Sequence, residues 1–100
     1  MITHVVLFEV IPENKGKICE LLEQLGNLRY STITQIKSFS YGENNSPEGL
    51  SKNYNYGFTM QFLSSVDRDY YLSHPDHINI AKQLVNLLIN GLDSVLVFDY

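Results

Sequence analysis

An α+β domain of order β-α-β-β-α-β, with an antiparallel four-stranded sheet and helices on one face, is the fold class this sequence predicts. Three observations carry the prediction. The first is an apolar, β-branched run over residues 2 to 10 that gives way after Pro12 to a stripe with helical spacing. The second is a pair of alternating segments separated by a loop rich in Gly, Asn and Pro. The third is a second helical period followed by a short apolar run at the C-terminal end. One hundred residues, 44% of them hydrophobic, fit one domain over 1–100 with a core of its own.

Each element has its own signature. Ile2 to Val10 is nearly continuous in apolar and β-branched residues, as expected of a strand covered on both faces. By parity His4 shares a face with Ile2, Val6, Phe8 and Val10, while Thr3, Val5, Leu7 and Glu9 take the other. From Asn14 the residues Ile18, Leu21, Leu22, Leu25 and Leu28 form one stripe of an amphipathic helix, and Gly26 is expected to fray or end it. Residues 32 to 41 alternate as a partly exposed strand. Gly42 to Gly49 is turn chemistry, extended by Leu50 to Asn53 into a long loop. Tyr54 to Leu63 is the third strand.

Ser64-Ser65-Val66-Asp67 has the form of a capping box, which starts a short helix running to about Ser73. Pro75 disrupts a helix interior but suits the first turn of a new one, so a further helix is expected from Asp76 to Asn90. Its apolar stripe holds His77, Ala81, Leu84, Val85 and Leu88, and Asn90-Gly91 is expected to close it. Leu92 to Tyr100 is the last strand. This order is that of the ferredoxin-like split βαβ arrangement. Helices on one face leave the other face of strands 1 and 4 uncovered although both are apolar on both sides. A homodimer joined through its sheet faces is therefore expected.

Composition excludes several function classes. The seven Lys and Arg are scattered with no basic patch, which argues against nucleic acid as a partner. No apolar run approaches the roughly 20 residues of a membrane-spanning helix, so no membrane partner is expected. The N-terminus lacks a basic segment followed by an apolar run, and the lone Cys19 cannot form an internal disulfide. A cytoplasmic location is the expectation.

Chemistry concentrates in Val66 to His77, which holds two histidines, two adjacent tyrosines and the proline. An imidazole titrates near neutral pH, so His77 is the candidate acid or base, with Tyr71 as its partner. His4 on a central strand requires a hydrogen-bonding partner or a polar pocket. His74, beside Pro75, reads as a cap or surface group. His4, His74 and His77 with Asp76 are the only set that could approach a zinc site, but convergence across the Pro-containing junction is not expected, and no metal site is assigned. A hard cation at a loop of carbonyls would leave no signature; Tyr30 to Thr34 is the place to look.

The whole pattern resembles a known family, the stress-responsive dimeric α/β barrel (Dabb) domain. The resemblance rests on His4 to Phe8, the Gly42 to Glu48 loop, Tyr54 to Phe58, Asp67 to His77 with its His-Pro-Asp-His, and Leu92 to Tyr100 with its final Asp-Tyr. It implies a homodimer in which two ferredoxin-like units pair into a barrel. Some plant members look like polyketide cyclases with a His and Tyr acid/base pair, which by position implies catalytic roles for His77 and Tyr71 and puts His4 in the same cavity. A further cavity His of those cyclases falls at Tyr56, where Asn53-Tyr54-Asn55-Tyr56 departs from the Gly-Tyr-Thr-His often found. Tyr56 is thus expected to line the cavity with altered hydrogen bonding. The reading that follows is a dimer binding a small apolar or phenolic ligand, with cofactor-free proton transfer if it is an enzyme. A non-enzymatic stress-stability dimer and a small cofactor-free monooxygenase are the alternatives.

Overall fold

A computed structural model describes all residues, 1–100. Strands β1 (Ile2–Phe8), β2 (Ser38–Glu43), β3 (Tyr56–Phe62) and β4 (Val95–Asp99) form one sheet in the order β2-β3-β1-β4, antiparallel throughout. Helices α1 (Lys15–Asn27), α2 (Ser65–Ser73) and α3 (Pro75–Val85) supply the second layer. This is the predicted ferredoxin-like βαββαβ arrangement, with β1 and β3 at the centre.

Alternation along β1 and β3 decides which side chains meet the helices. His4, Val6 and Phe8 pair in register with Met60, Phe58 and Tyr56, and this row joins the core with Ile18, Leu21, Leu22 and Leu25 of α1 and Ile80 and Leu84 of α3. The other parity, Val5 and Leu7 beside Phe98 and Leu96, faces away from the helices. Phe98 is 61% exposed, which leaves a large apolar side chain uncovered on that face.

Element ends differ from the sequence expectation wherever a tertiary partner replaces a local one. β1 stops at Phe8, not Val10, because the Asn55 carboxamide takes over the ladder. Its Oδ1 accepts from Val10 N at 2.8 Å and its Nδ2 donates to Val10 O at 3.0 Å. The expected strand over 32 to 41 begins only at Ser38 and runs on through Gly42 and Glu43. Residues before it form turns, with Ile33 N donating to Leu28 O and Ile36 N to Ile33 O. Those turns bury both Ile33 and Ile36, which alternation over an odd spacing of three cannot do. β3 starts at Tyr56 and ends at Phe62, each inside the expected bounds.

The later helices show the same effect. Ser64 caps α2 as expected, its Oγ accepting from Asp67 N at 3.2 Å. α3 begins at Pro75 but ends at Val85 rather than Asn90. Its last turn tightens, with Leu87 N bonded to Leu84 O and Leu88 N to Val85 O. Leu88 then forms a bridge with Val10, and the Asn14 side chain donates to Leu87 O. Gly91, at φ +56°, opens a 3-10 turn over Gly91–Ser94 instead of closing the helix, so β4 starts at Val95.

Gly26 neither frays nor ends α1, which continues to Asn27. It sits where the Phe39 ring of β2 packs on the helix, and a Cβ there would lie 2.2 Å from a ring carbon. A helix-interior Gly→Ala change ordinarily gains about 1 kcal/mol. Here overpacking should reverse the sign: Gly26→Ala is expected to lower the unfolding free energy by about 1–2 kcal/mol in urea titration, and Phe39→Leu in the same chain to recover part of it. A stabilised Gly26→Ala protein would contradict this packing.

Candidate functional site

The joint between α2 and α3 positions the site. Pro75 has no N–H, so the Tyr71 carbonyl is met instead by His74 N, at 3.1 Å. The Asp76 N–H, which in an unbroken helix would reach Leu72 O, is taken by the His74 imidazole, Nδ1 accepting at 3.0 Å. His74 is therefore the cap of α3. The Leu72 carbonyl, released from the helix, accepts from Nδ1 of His77 at 3.0 Å. A carbonyl can only accept, so the hydrogen is on Nδ1 and the neutral ring carries its lone pair on Nε2.

Between the inner face of the sheet and α2 and α3 lies a cavity of about 370 Å³. Val6, Phe8, Phe58, Ile80, Leu84 and Val95 are among its apolar walls, while His4, Arg68, Asp69, Tyr71, His77 and Asp99 supply its polar groups. Three of the four residues expected at the site converge here: His4, Tyr71 and His77. The Tyr71 ring centre is 4.2 Å from that of His77 and 6.0 Å from that of His4.

Tyr71 closes the floor. Its side chain is 0% exposed, borders the cavity, and its phenol oxygen has no hydrogen-bond partner in the protein. A buried hydroxyl without a partner costs about 1–3 kcal/mol, so the position is either a packing defect or a place kept for something else to bind. Burial also pushes its pKa well above the ordinary phenol value, which keeps it protonated and a donor. His77 shifts the opposite way. Burial lowers its pKa first, the nearby His4 and His74 lower it further, and the Leu72 carbonyl opposes them. The result is a neutral imidazole at neutral pH with a free lone pair.

His4 is 4% exposed and bonds through Nδ1 to Asp99 Oδ1 at 2.7 Å, while Arg68 donates to Asp99 Oδ2 at 3.0 Å. Neither Asp99 nor Arg68 was assigned to the site by sequence reasoning. The signal was available: Asp99 shares parity with Val95 and Val97 on an apolar strand face, and Arg68 lies three residues before Tyr71 on the same helix face.

Tyr56 lies elsewhere, contrary to expectation. It is on the inner face but toward α1, its ring stacked on Phe8 at 6.2 Å and its hydroxyl 3.4 Å from Cys19 Sγ. It borders a separate depression beside the 44–55 loop and does not line the cavity of His77. The bond to Cys19 and then burial push its pKa up to about 12. Cys19 itself is half-buried and hydrogen-bonded. No group of three or more His, Cys, Asp or Glu side chains is placed to hold a metal ion. At the Tyr30 to Thr34 turn, Thr32 Oγ1 donates to Asp76 Oδ2 at 2.7 Å, tying the turn to α3.

A ferredoxin-like α+β domain with a largely apolar cavity between sheet and helices, and imidazole and phenol groups at its floor, is the class of protein these features define. The chain belongs to the stress responsive A/B barrel domain family, Dabb, whose model matches residues 2–100. It is 34% identical over 84 residues to the stress-response A/B barrel domain-containing protein HS1 of Arabidopsis thaliana, covering 84% of this chain and 72% of that protein. Among solved structures it is similar to a dimeric ferredoxin-like protein of unknown function from Jannaschia sp. CCS1, with 31% identity, a TM-score of 0.90, and 99% and 96% of the two chains covered. A crystal structure of an Arabidopsis thaliana protein matches with 32% identity, a TM-score of 0.87, and 100% and 93% covered.

Two stability measurements check the electrostatics. Removing the unpartnered hydroxyl in Tyr71→Phe should raise the unfolding free energy by about 1 kcal/mol in urea titration; a loss of that size would mean the oxygen is satisfied in solution. His77 has a folded pKa below its unfolded 6.5, so under pH 6.5 the unfolded chain binds a proton that the native one refuses. Its contribution is whole above pH 6.5 and is lost as pH falls toward the folded value. Wild type should therefore lose more stability than His77→Gln between pH 7 and 5, and parallel curves would contradict the shift.

Proposed function

We propose that the protein is a homodimer, joined through its sheet faces, that binds a small apolar or phenolic molecule in the cavity above Tyr71. One observation carries the reading: an unpartnered, protonated phenol lies against a neutral imidazole beside a cavity whose walls are mostly apolar. Apolar walls supply affinity and the few polar groups supply orientation.

The same groups suit proton transfer. His77 Nε2 would take a proton from a carbon next to a carbonyl, or from a phenol. The Tyr71 hydroxyl would donate a hydrogen bond to the oxygen on which negative charge develops. Return of the proton from Nε2 to another atom of the ligand completes an isomerisation or an aldol-type closure. The electrons stay within the ligand, so this class of step needs no cofactor.

The dimer rests on a separate argument. Val5, Leu7, Leu96 and Phe98 form an apolar strip on the helix-free face, and burying Phe98 alone is worth about 2 kcal/mol per subunit. A second copy offers the same strip in return. The Jannaschia protein is described as dimeric, which supports the reading. The assembly reading without ligand chemistry uses the same interface but gives the cavity no role.

A two-dimensional NMR screen with phenols and aromatic ketones tests the cavity. Binding compounds should shift resonances of Ile80, Leu84 and His77, and His77→Ala should weaken them about tenfold. Spectra that are the same for both proteins with every compound would end the ligand reading and leave the assembly one. Light scattering should give twice the mass of one chain for wild type and a large monomer fraction for Phe98→Asp. A wild-type monomer at micromolar concentration would sink the dimer.

A further inference from the structure

We infer that Arg68 and Asp99 are positioning residues that lock His4 with its Nε2 lone pair available to the cavity, so that the site selects a neutral ligand carrying a hydroxyl donor. This rests on the cavity being a ligand site and names the class of ligand it takes.

His4 stands in a row with Ile2, Val6 and Phe8 on the central strand, where an apolar residue would pack without needing a partner. Asp99 is its cross-strand neighbour in register on β4. Both oxygens of that carboxylate are committed, Oδ1 to His4 Nδ1 at 2.7 Å and Oδ2 to Arg68 at 3.0 Å. Arg68 is itself anchored, its Nε donating to Asp69 Oδ1 at 3.1 Å. The chain of contacts thus runs from α2 through β4 to β1, and fixes the carboxylate that fixes the imidazole.

A strap between helix and sheet would need only Arg68 and Asp99. The third member is the informative one. A carboxylate accepts and does not donate, so His4 Nδ1 carries the hydrogen, and the tautomer this fixes for the neutral ring has its acceptor at Nε2. His77 presents a second such acceptor, its Nδ1 being held by Leu72 O. Two acceptors and one phenol in an apolar cavity favour a ligand with a hydroxyl to donate. Asp69 and Asp99 border the same cavity, and the Arg68 guanidinium is already engaged by both. An anionic ligand would meet that acidic pair with no free cation, so a phenol or enol is favoured over a carboxylate.

The test combines a tautomer measurement with a ligand pair. Long-range proton–nitrogen NMR of histidine-labelled protein should show His4 with hydrogen on Nδ1 in wild type, and a mixture or the opposite tautomer in Arg68→Met and Asp99→Ala. His77 resonances serve as the internal check on folding, and Arg68→Met carries the test if Asp99→Ala does not fold. The probes are 3-propylphenol and its methyl ether. Wild type should bind the phenol at least about tenfold tighter, and Arg68→Met should bring the two within about threefold. His4 with hydrogen on Nε2 in wild type, or a tautomer unmoved by Arg68→Met, overturns the positioning role. Equal binding of phenol and ether with His4 in the expected tautomer overturns the selection. If neither probe binds wild type, the cavity reading fails and the selection fails with it, while the tautomer result still decides the positioning.

Discussion

The hydrogen bond that Pro75 cannot make shapes the helical half of this protein. Without that N–H the helix breaks, and the His74 imidazole fills the gap by capping Asp76 N. The Leu72 carbonyl then has no helical partner and becomes the acceptor for His77. One missing donor thus sets the break between α2 and α3, the tautomer of His77, and the placement of that ring 4.2 Å from Tyr71. A continuous helix through this segment would satisfy the carbonyls and leave His77 without its orienting bond.

The sheet supplies the other half by alternation. β1 is central, and its inner row presents His4 between Ile2 and Val6. β4 lies beside it and presents Asp99 in register with His4. The polar groups are therefore delivered from two rigid directions, strand and helix joint, into a cavity whose remaining walls are apolar. The unsatisfied Tyr71 hydroxyl between them is a local cost in stability that a tightly packed core would not carry. Its place beside the cavity and against His77 is what separates it from the other unpartnered buried atoms of the chain, Arg29 Nε and Gln35 Oε1.

The order of elements was legible because period and parity survive in the sequence: the α1 stripe, the inner parity of His4, the Ser64 cap and the Pro75 joint are where the pattern puts them. Element ends were less legible, because they are set by distant partners. Asn55 replaces a strand neighbour at Val10, and Val10 in turn holds Leu88 out of α3. Gly26 reads as a breaker until Phe39 is known to need its space. Tyr56 shows the limit of carrying a site over by position. It lies on the inner face of β3, but which helix covers that end of the strand is a tertiary fact, and α1 with Cys19 covers it. Arg68 and Asp99 escaped for a related reason: the contact between them spans 31 residues and no local motif announces it.

The central claim is that Tyr71 and His77 act together on one bound molecule. A double-mutant cycle measures this directly, using the affinity of 4′-hydroxyacetophenone for wild type, Tyr71→Phe, His77→Ala and the double variant. The account predicts non-additive losses, with a coupling of about 1 kcal/mol between the two positions. Losses that add within about 0.3 kcal/mol, or an affinity indifferent to both substitutions, would contradict it.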